Sequence, residues 1–109
     1  MAISSQWGNI SALTNVAFYQ ANPNTYPTPR QISEKTELIE LITDGCVLYS
    51  HLGTDIECGV GTIFWHMPGD YTINRYKSGQ PYSCLVLSFT TLKPPLRVFP
   101  RYTVWDKPV

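Results

Sequence analysis

A chain of 109 residues supports one domain with a modest core and not two. Hydrophobic residues make up 43% and charged residues 15%, the reverse of a disordered tail. Eight Lys and Arg balance eight Asp and Glu, so the basic excess that releases counterions from DNA is missing and the chain by itself is not expected to bind nucleic acid. No apolar run reaches the ~18 residues of a membrane helix. The start, MAISSQWGNISAL, has neither a basic n-region nor a long apolar h-region, so no signal peptide is expected. Cys46, Cys58 and Cys84 form no CxxC pair, which favours reduced, mostly buried thiols and a cytoplasmic setting.

In chain order, Ile10, Ala12, Val16 and Phe18 alternate weakly over residues 1–20, consistent with one or two strands and a turn at Asn15. ANPNTYPTPRQIS (21–33) is rich in Pro and Asn and reads as a rigid extended loop, because each Pro fixes φ and removes a donor. From Thr36 to Thr43 a strand would place Leu38, Glu40 and Ile42 on one face and Glu37, Ile39 and Leu41 on the other. A helix would gather Leu38, Leu41 and Ile42; the β-branched content and Asp44-Gly45 favour strand and turn. CVLYSHLGTDIECGVG reads as a hairpin turning near Leu52–Asp55, with Cys46 and Cys58 roughly opposite each other as small buried thiols. Thr62–Met67 is a strand, Pro68-Gly69-Asp70 a turn, and YTINRY alternates as a further strand. After a turn at KSGQ, PYSCLVLSFT is apolar through its centre, the mark of a strand covered on both faces. RVFPRYTVWDKPV closes the chain with aromatics and Pro. Short strands at this spacing predict an all-β sandwich or barrel with antiparallel strands and little or no helix.

Arg30 ahead of ELIELITDG, then GVGTIFWHMPGD, then PYSCLVLSF, resembles the N-terminal ligand-binding domain of AraC-type transcription regulators, a cupin jelly roll. The resemblance covers roughly residues 30–89 and implies a double-stranded β-helix barrel over about 34–105, preceded by a loop or arm over about 1–33, in a single sensory domain. It also implies a homodimer, a small polar ligand such as a sugar or sugar acid, and DNA binding only through a C-terminal domain that these residues do not contain.

Metal-dependent cupins carry His-x-His, a carboxylate and a later His, because several ligands must converge on a first-row metal. Here His51 stands alone in YSHLG, and Thr72 occupies the position after the Pro-Gly turn where a ligand His is common. No metal or other cofactor and no catalytic residue is therefore expected. The alternative is a freestanding cupin metalloenzyme, an isomerase or dioxygenase, which would need His51, His66 and a Glu to meet.

The candidate ligand-binding residues are Arg30, Glu40, Trp65, His66, Thr72, Asn74 and Tyr82. By resemblance, Arg30 sits where a sugar-contacting arginine is implied; its guanidinium donates paired bonds to hydroxyls or a carboxylate. Asn74 falls near an implied contact that is usually aromatic. Cys84 and Val86 stand where polar and aromatic contacts are implied, a departure that argues against arabinose itself. Glu40, mid-strand in an apolar face, points to solvent by default, or pairs with Arg30 or Arg75, or projects into a pocket. His66 alternates with Phe64 and Trp65 with Ile63 and Met67, so only one of the two faces the interior; inside, His66 either packs or contacts a ligand. Trp65 and Tyr82 either stack on a sugar or fill the core.

Overall fold

The computed structural model describes residues 10–77, 79–92 and 100–104. The opening nine residues, Ser78 of the expected KSGQ turn, most of LKPPLRVF and the closing WDKPV lie outside the described residues. The described residues form seven strands in order: β1 (Ile10–Gln20), β2 (Thr36–Asp44), β3 (Val47–His51), β4 (Thr54–Cys58), β5 (Thr62–His66), β6 (Ser83–Thr91) and β7 (Tyr102–Val104). The structure is 57% strand with no helix among the described residues. The strands form an antiparallel five-stranded sheet, ordered β1-β6-β2-β5-β7, and a β3-β4 hairpin. Among the described residues the expected all-β, antiparallel architecture is present as an open sheet with a hairpin laid on one face, and no closed barrel is found over 34–105.

The strand period of β2 holds. Leu38, Glu40 and Ile42 turn inward, because β6 and β5 flank β2 on either side and bring Ser88, Val86 and Cys84, and His66 and Phe64, opposite them. Side chains directly opposite in a ladder share a face, which fixes all three strands together. The hairpin supplies Val47 and Cys58, and with Ile42, Phe64, Tyr82 and Cys84 they form the buried core. Tyr49 packs on this core with its ring 5.3 Å from that of Phe64. The hairpin turn is the expected one: Leu52 (φ 51°) and Gly53 (φ 82°) join His51 to Thr54 as the two-residue turn that matches strand twist. Cys58 pairs with Val47 rather than with Cys46, and all three cysteines are free.

Four further expectations are revised. Residues 10–20 form one strand, and the irregularity at Asn15 is a register shift against β6 instead of a turn. This strand lies upstream of the expected barrel start and belongs to the same sheet. YTINRY is not a strand: it makes only isolated bridges, Tyr71 to Gln31 and Tyr76 to Val47, and it buries Ile73 and Tyr76, three residues apart, a spacing that strand alternation does not give. The centre of β6 is half-buried on both sides, Leu85 to Ser88, because the sheet's outer face is not covered by any described strand. That face carries Leu13, Val16 and Phe18 at 62%, 57% and 64% exposure.

Candidate functional site

A cavity of about 230 Å³ opens between the inner face of the sheet and the loop that precedes β2. Its floor is Leu38 and Glu40 of β2 with Cys84 and Val86 of β6; Asn15, Ala17 and Tyr19 of β1 wall one side; Pro27, Thr28 and Arg30 of the Pro-rich loop and Thr72 and Ile73 wall the other. Four of the seven candidate residues, Arg30, Glu40, Thr72 and Tyr82, therefore meet in one place.

Loop geometry explains why. The stretch 30–32 is stitched to 69–72 by three backbone bonds, Ile32 N–H to Asp70 O (2.8 Å), Gly69 N–H to Ile32 O (2.9 Å) and Thr72 N–H to Arg30 O (2.9 Å). The Thr72 hydroxyl accepts from the Arg30 backbone N–H at 3.0 Å, so Thr72 holds Arg30 in place from within the wall. Pro27 and Pro29 keep the approach to Arg30 extended. Arg30 itself is exposed at the rim.

Glu40 is only 6% exposed and projects into the cavity, not to solvent. Its neighbours register its charge. Burial first, and the Glu40 carboxylate second, push the Tyr82 hydroxyl well above its ordinary range and the Cys84 thiol up to about 12. The Tyr82 hydroxyl donates to Ile73 O at 3.1 Å, which fixes the ring against the cavity. Tyr19, whose ring centroid lies 5.9 Å from that of Tyr82, continues the aromatic wall.

His66 is fully buried and faces inward behind the cavity. Its Nε2 lies 3.4 Å from Glu40 Oε2, and its Nδ1 lies 3.4 Å from Arg101 Nη2. The ring stacks on Phe64 with 2° between planes and centroids 6.0 Å apart. Arg101 is placed by its own carbonyl, which accepts from Trp65 N–H at 2.7 Å, and by donation from Nη2 to Tyr71 O at 2.8 Å.

Trp65 belongs to the other face, as the alternation of β5 requires once His66 is inside. Its indole N–H donates to Glu37, which is itself fully buried, and its ring meets Phe89 edge-on at 6.1 Å. Trp65 therefore does not line the cavity. Asn74 lines a separate depression of about 180 Å³ beside Tyr49, Arg75 and Arg101. Arg75 is engaged by Asp55 through two bonds of 2.9 and 2.8 Å and does not reach Glu40. His51 is exposed, stacked on Tyr49, while His66 is buried beside Glu40. Among the described residues no three His, Cys, Asp or Glu side chains group as a metal site.

Asn15, expected only as a turn, and Tyr19 and Arg101 were not among the candidate site residues of the sequence. Tyr19 reaches the cavity because β1 pairs with β6 and sets it opposite Cys84, a partnership 65 residues apart in the chain. Arg101 carries no local signal at all: its role depends on β7 lying beside β5. Among the described residues no helix is long and apolar enough to cross a membrane. No protein-family model matches this chain, and no curated protein matches it.

Proposed function

We propose that this chain is the small-molecule-sensing domain of an AraC-type transcription regulator, built on a cupin-type arrangement of strands, and that its ligand is a small polyhydroxylated molecule, a sugar or sugar acid. The observation that carries this reading is one cavity that brings a buried carboxylate, Glu40, a rim guanidinium, Arg30, and the aromatic wall of Tyr19 and Tyr82 together. A carboxylate accepts from hydroxyls, a guanidinium donates to ring and hydroxyl oxygens, and aromatic faces cover sugar C–H surfaces. The volume lies just under the ~300–1,000 Å³ of typical ligand pockets, which suits a monosaccharide-sized ligand and not an oligosaccharide. On this reading DNA is contacted through a separate domain, in keeping with the balanced charge of these residues. Two copies pair through the exposed apolar outer face of the sheet, since large uncovered apolar patches mark association surfaces. Three free thiols suit a reducing cytoplasm.

The test is a thermal-shift panel of pentoses, hexoses, sugar acids and polyols. A ligand present at a hundred times its Kd stabilises the native state by about 2.7 kcal/mol. For a domain of this size that raises the melting temperature by roughly 10 °C. Glu40→Ala and Arg30→Ala are expected to abolish or greatly reduce the shift. A flat panel, or a shift that both variants preserve, would overturn the proposal.

A further inference from the structure

The chain of contacts from Glu40 on the cavity floor through buried His66 to half-buried Arg101 narrows the ligand class, an inference that rests on the sensing function proposed above. A guanidinium has donors only, so the Arg101 Nη2 hydrogen aimed at His66 Nδ1 requires a lone pair there. The neutral imidazole then carries its proton on Nε2, the atom facing Glu40 Oε2 at 3.4 Å. The other neutral tautomer would set an N–H against the guanidinium and a lone pair against the carboxylate. Beyond these contacts, Asp70 lies 3.7 Å from Arg101 Nε, and Phe64 stacks parallel to the ring.

We propose that His66, held in the Nε2–H form by Arg101, is a specificity-determining residue that keeps Glu40 an acceptor-only carboxylate, so that the cavity takes hydroxyl or ammonium donors and rejects anions. The two charges on the cavity do not cancel. Glu40 is 6% exposed and acts through a medium of low dielectric, whereas Arg30 is exposed at the rim and screened by water and salt. The carboxylate therefore dominates the interior. Of the two ligand classes proposed above, this selects neutral sugars over sugar acids.

Two measurements test this. In ligand-free protein, imidazole nitrogen NMR of His66 is expected to show a protonated Nε2 and an unprotonated Nδ1; a protonated Nδ1 overturns the proposal. In calorimetric titrations of galactosamine, galactose and galacturonate, the amine and the neutral sugar are expected to bind at least tenfold tighter than the uronate, about 1.4 kcal/mol. His66→Phe keeps the ring stacked on Phe64 and removes the donor. Glu40 then loses the N–H that faces it and holds its carboxylate as an acceptor, and the preference falls to within about threefold. Arg101→Met, which leaves the ring in place, is expected to mix the tautomers and weaken the preference, and serves if His66→Phe does not fold. Equal binding of all three sugars to the wild-type protein, or a preference unchanged in both variants, overturns this inference and leaves the sensing function standing. Failure of these sugars and of the whole panel to bind overturns both.

Discussion

Gly45 gives a sharp test of how the fold shapes the cavity. It follows β2, has φ +75°, and lies against the backbone that leads into β6. A Cβ built there would sit 2.8 Å from Tyr82 Cα and nearer still to the Pro81 carbonyl oxygen. Both are backbone atoms, so relief requires moving the start of β6. Gly53 is the control: its φ is +82° but a Cβ would meet nothing within 4 Å. Gly53→Ala therefore carries the positive-φ penalty alone, about 1 kcal/mol. Gly45→Ala carries that penalty plus overpacking against backbone, typically another 1–3 kcal/mol. The expected totals are about 1 and about 2–4 kcal/mol, read from urea unfolding midpoints at equal m-values. Since Tyr82 lies in the cavity wall, Gly45→Ala is also expected to weaken any ligand-induced thermal shift in the fraction that stays folded, whereas Gly53→Ala leaves it intact. Equal destabilisation by the two substitutions would refute the argument from close approach.

Three further outcomes are expected. In native protein at pH 8, one thiol, the half-buried Cys46, reacts quickly with Ellman's reagent, while Cys58 and Cys84, whose pKa values burial raises, react slowly; all three react at once in denaturant. Stability falls as pH rises from about 9 towards 12. The unfolded chain loses the Cys84 proton near 9, while the native state holds it to about 12, so the native state binds more protons across that window, and alkaline urea titrations should show a slope of up to ~1.4 kcal/mol per pH unit for this group. Leu87→Glu, in the middle of the outer sheet face between Val16 and Ile39, converts a dimer into a monomer in analytical ultracentrifugation. A monomeric wild-type protein at micromolar concentration would remove the pairing surface from the proposal.

The strands that were legible from sequence are those whose periodicity had a single solution. In β2 the alternation of Leu38, Glu40 and Ile42 with Glu37, Ile39 and Leu41 defines two faces, and Asp44-Gly45 marks its end. The hairpin around Leu52-Gly53 was legible because only a few turn geometries join strands so tightly. YTINRY alternated equally well yet forms no strand, because β7 takes the place beside β5 and leaves this segment to bridge the loop and the hairpin. Trp65 shows the limit of alternation. Its separation from His66 onto opposite faces was legible, but not which face lies inside, because each face of β5 carries a large aromatic side chain, Phe64 on one and Trp65 on the other. The decision comes from the hairpin, whose Tyr49 packs on Phe64 and so puts that face, with His66 on it, inside, leaving Trp65 to pack on Phe89.

Two buried carboxylates meet different surroundings. Glu37 and Glu40 are both nearly sealed from solvent, and an unsatisfied buried carboxylate costs several kcal/mol. Glu37 is resolved within the fold by the Trp65 indole, which donates to its carboxylate. Glu40 has instead a single long contact to His66 and opens on a cavity whose tyrosine and thiol neighbours are driven further towards their neutral forms by its charge. Folding alone would favour a leucine at that position, between Phe64 and Val86. On the proposed sensing function, a carboxylate at that position, beside a histidine that Arg101 contacts, offers a ligand acceptor capacity that among the described residues only His66 takes up.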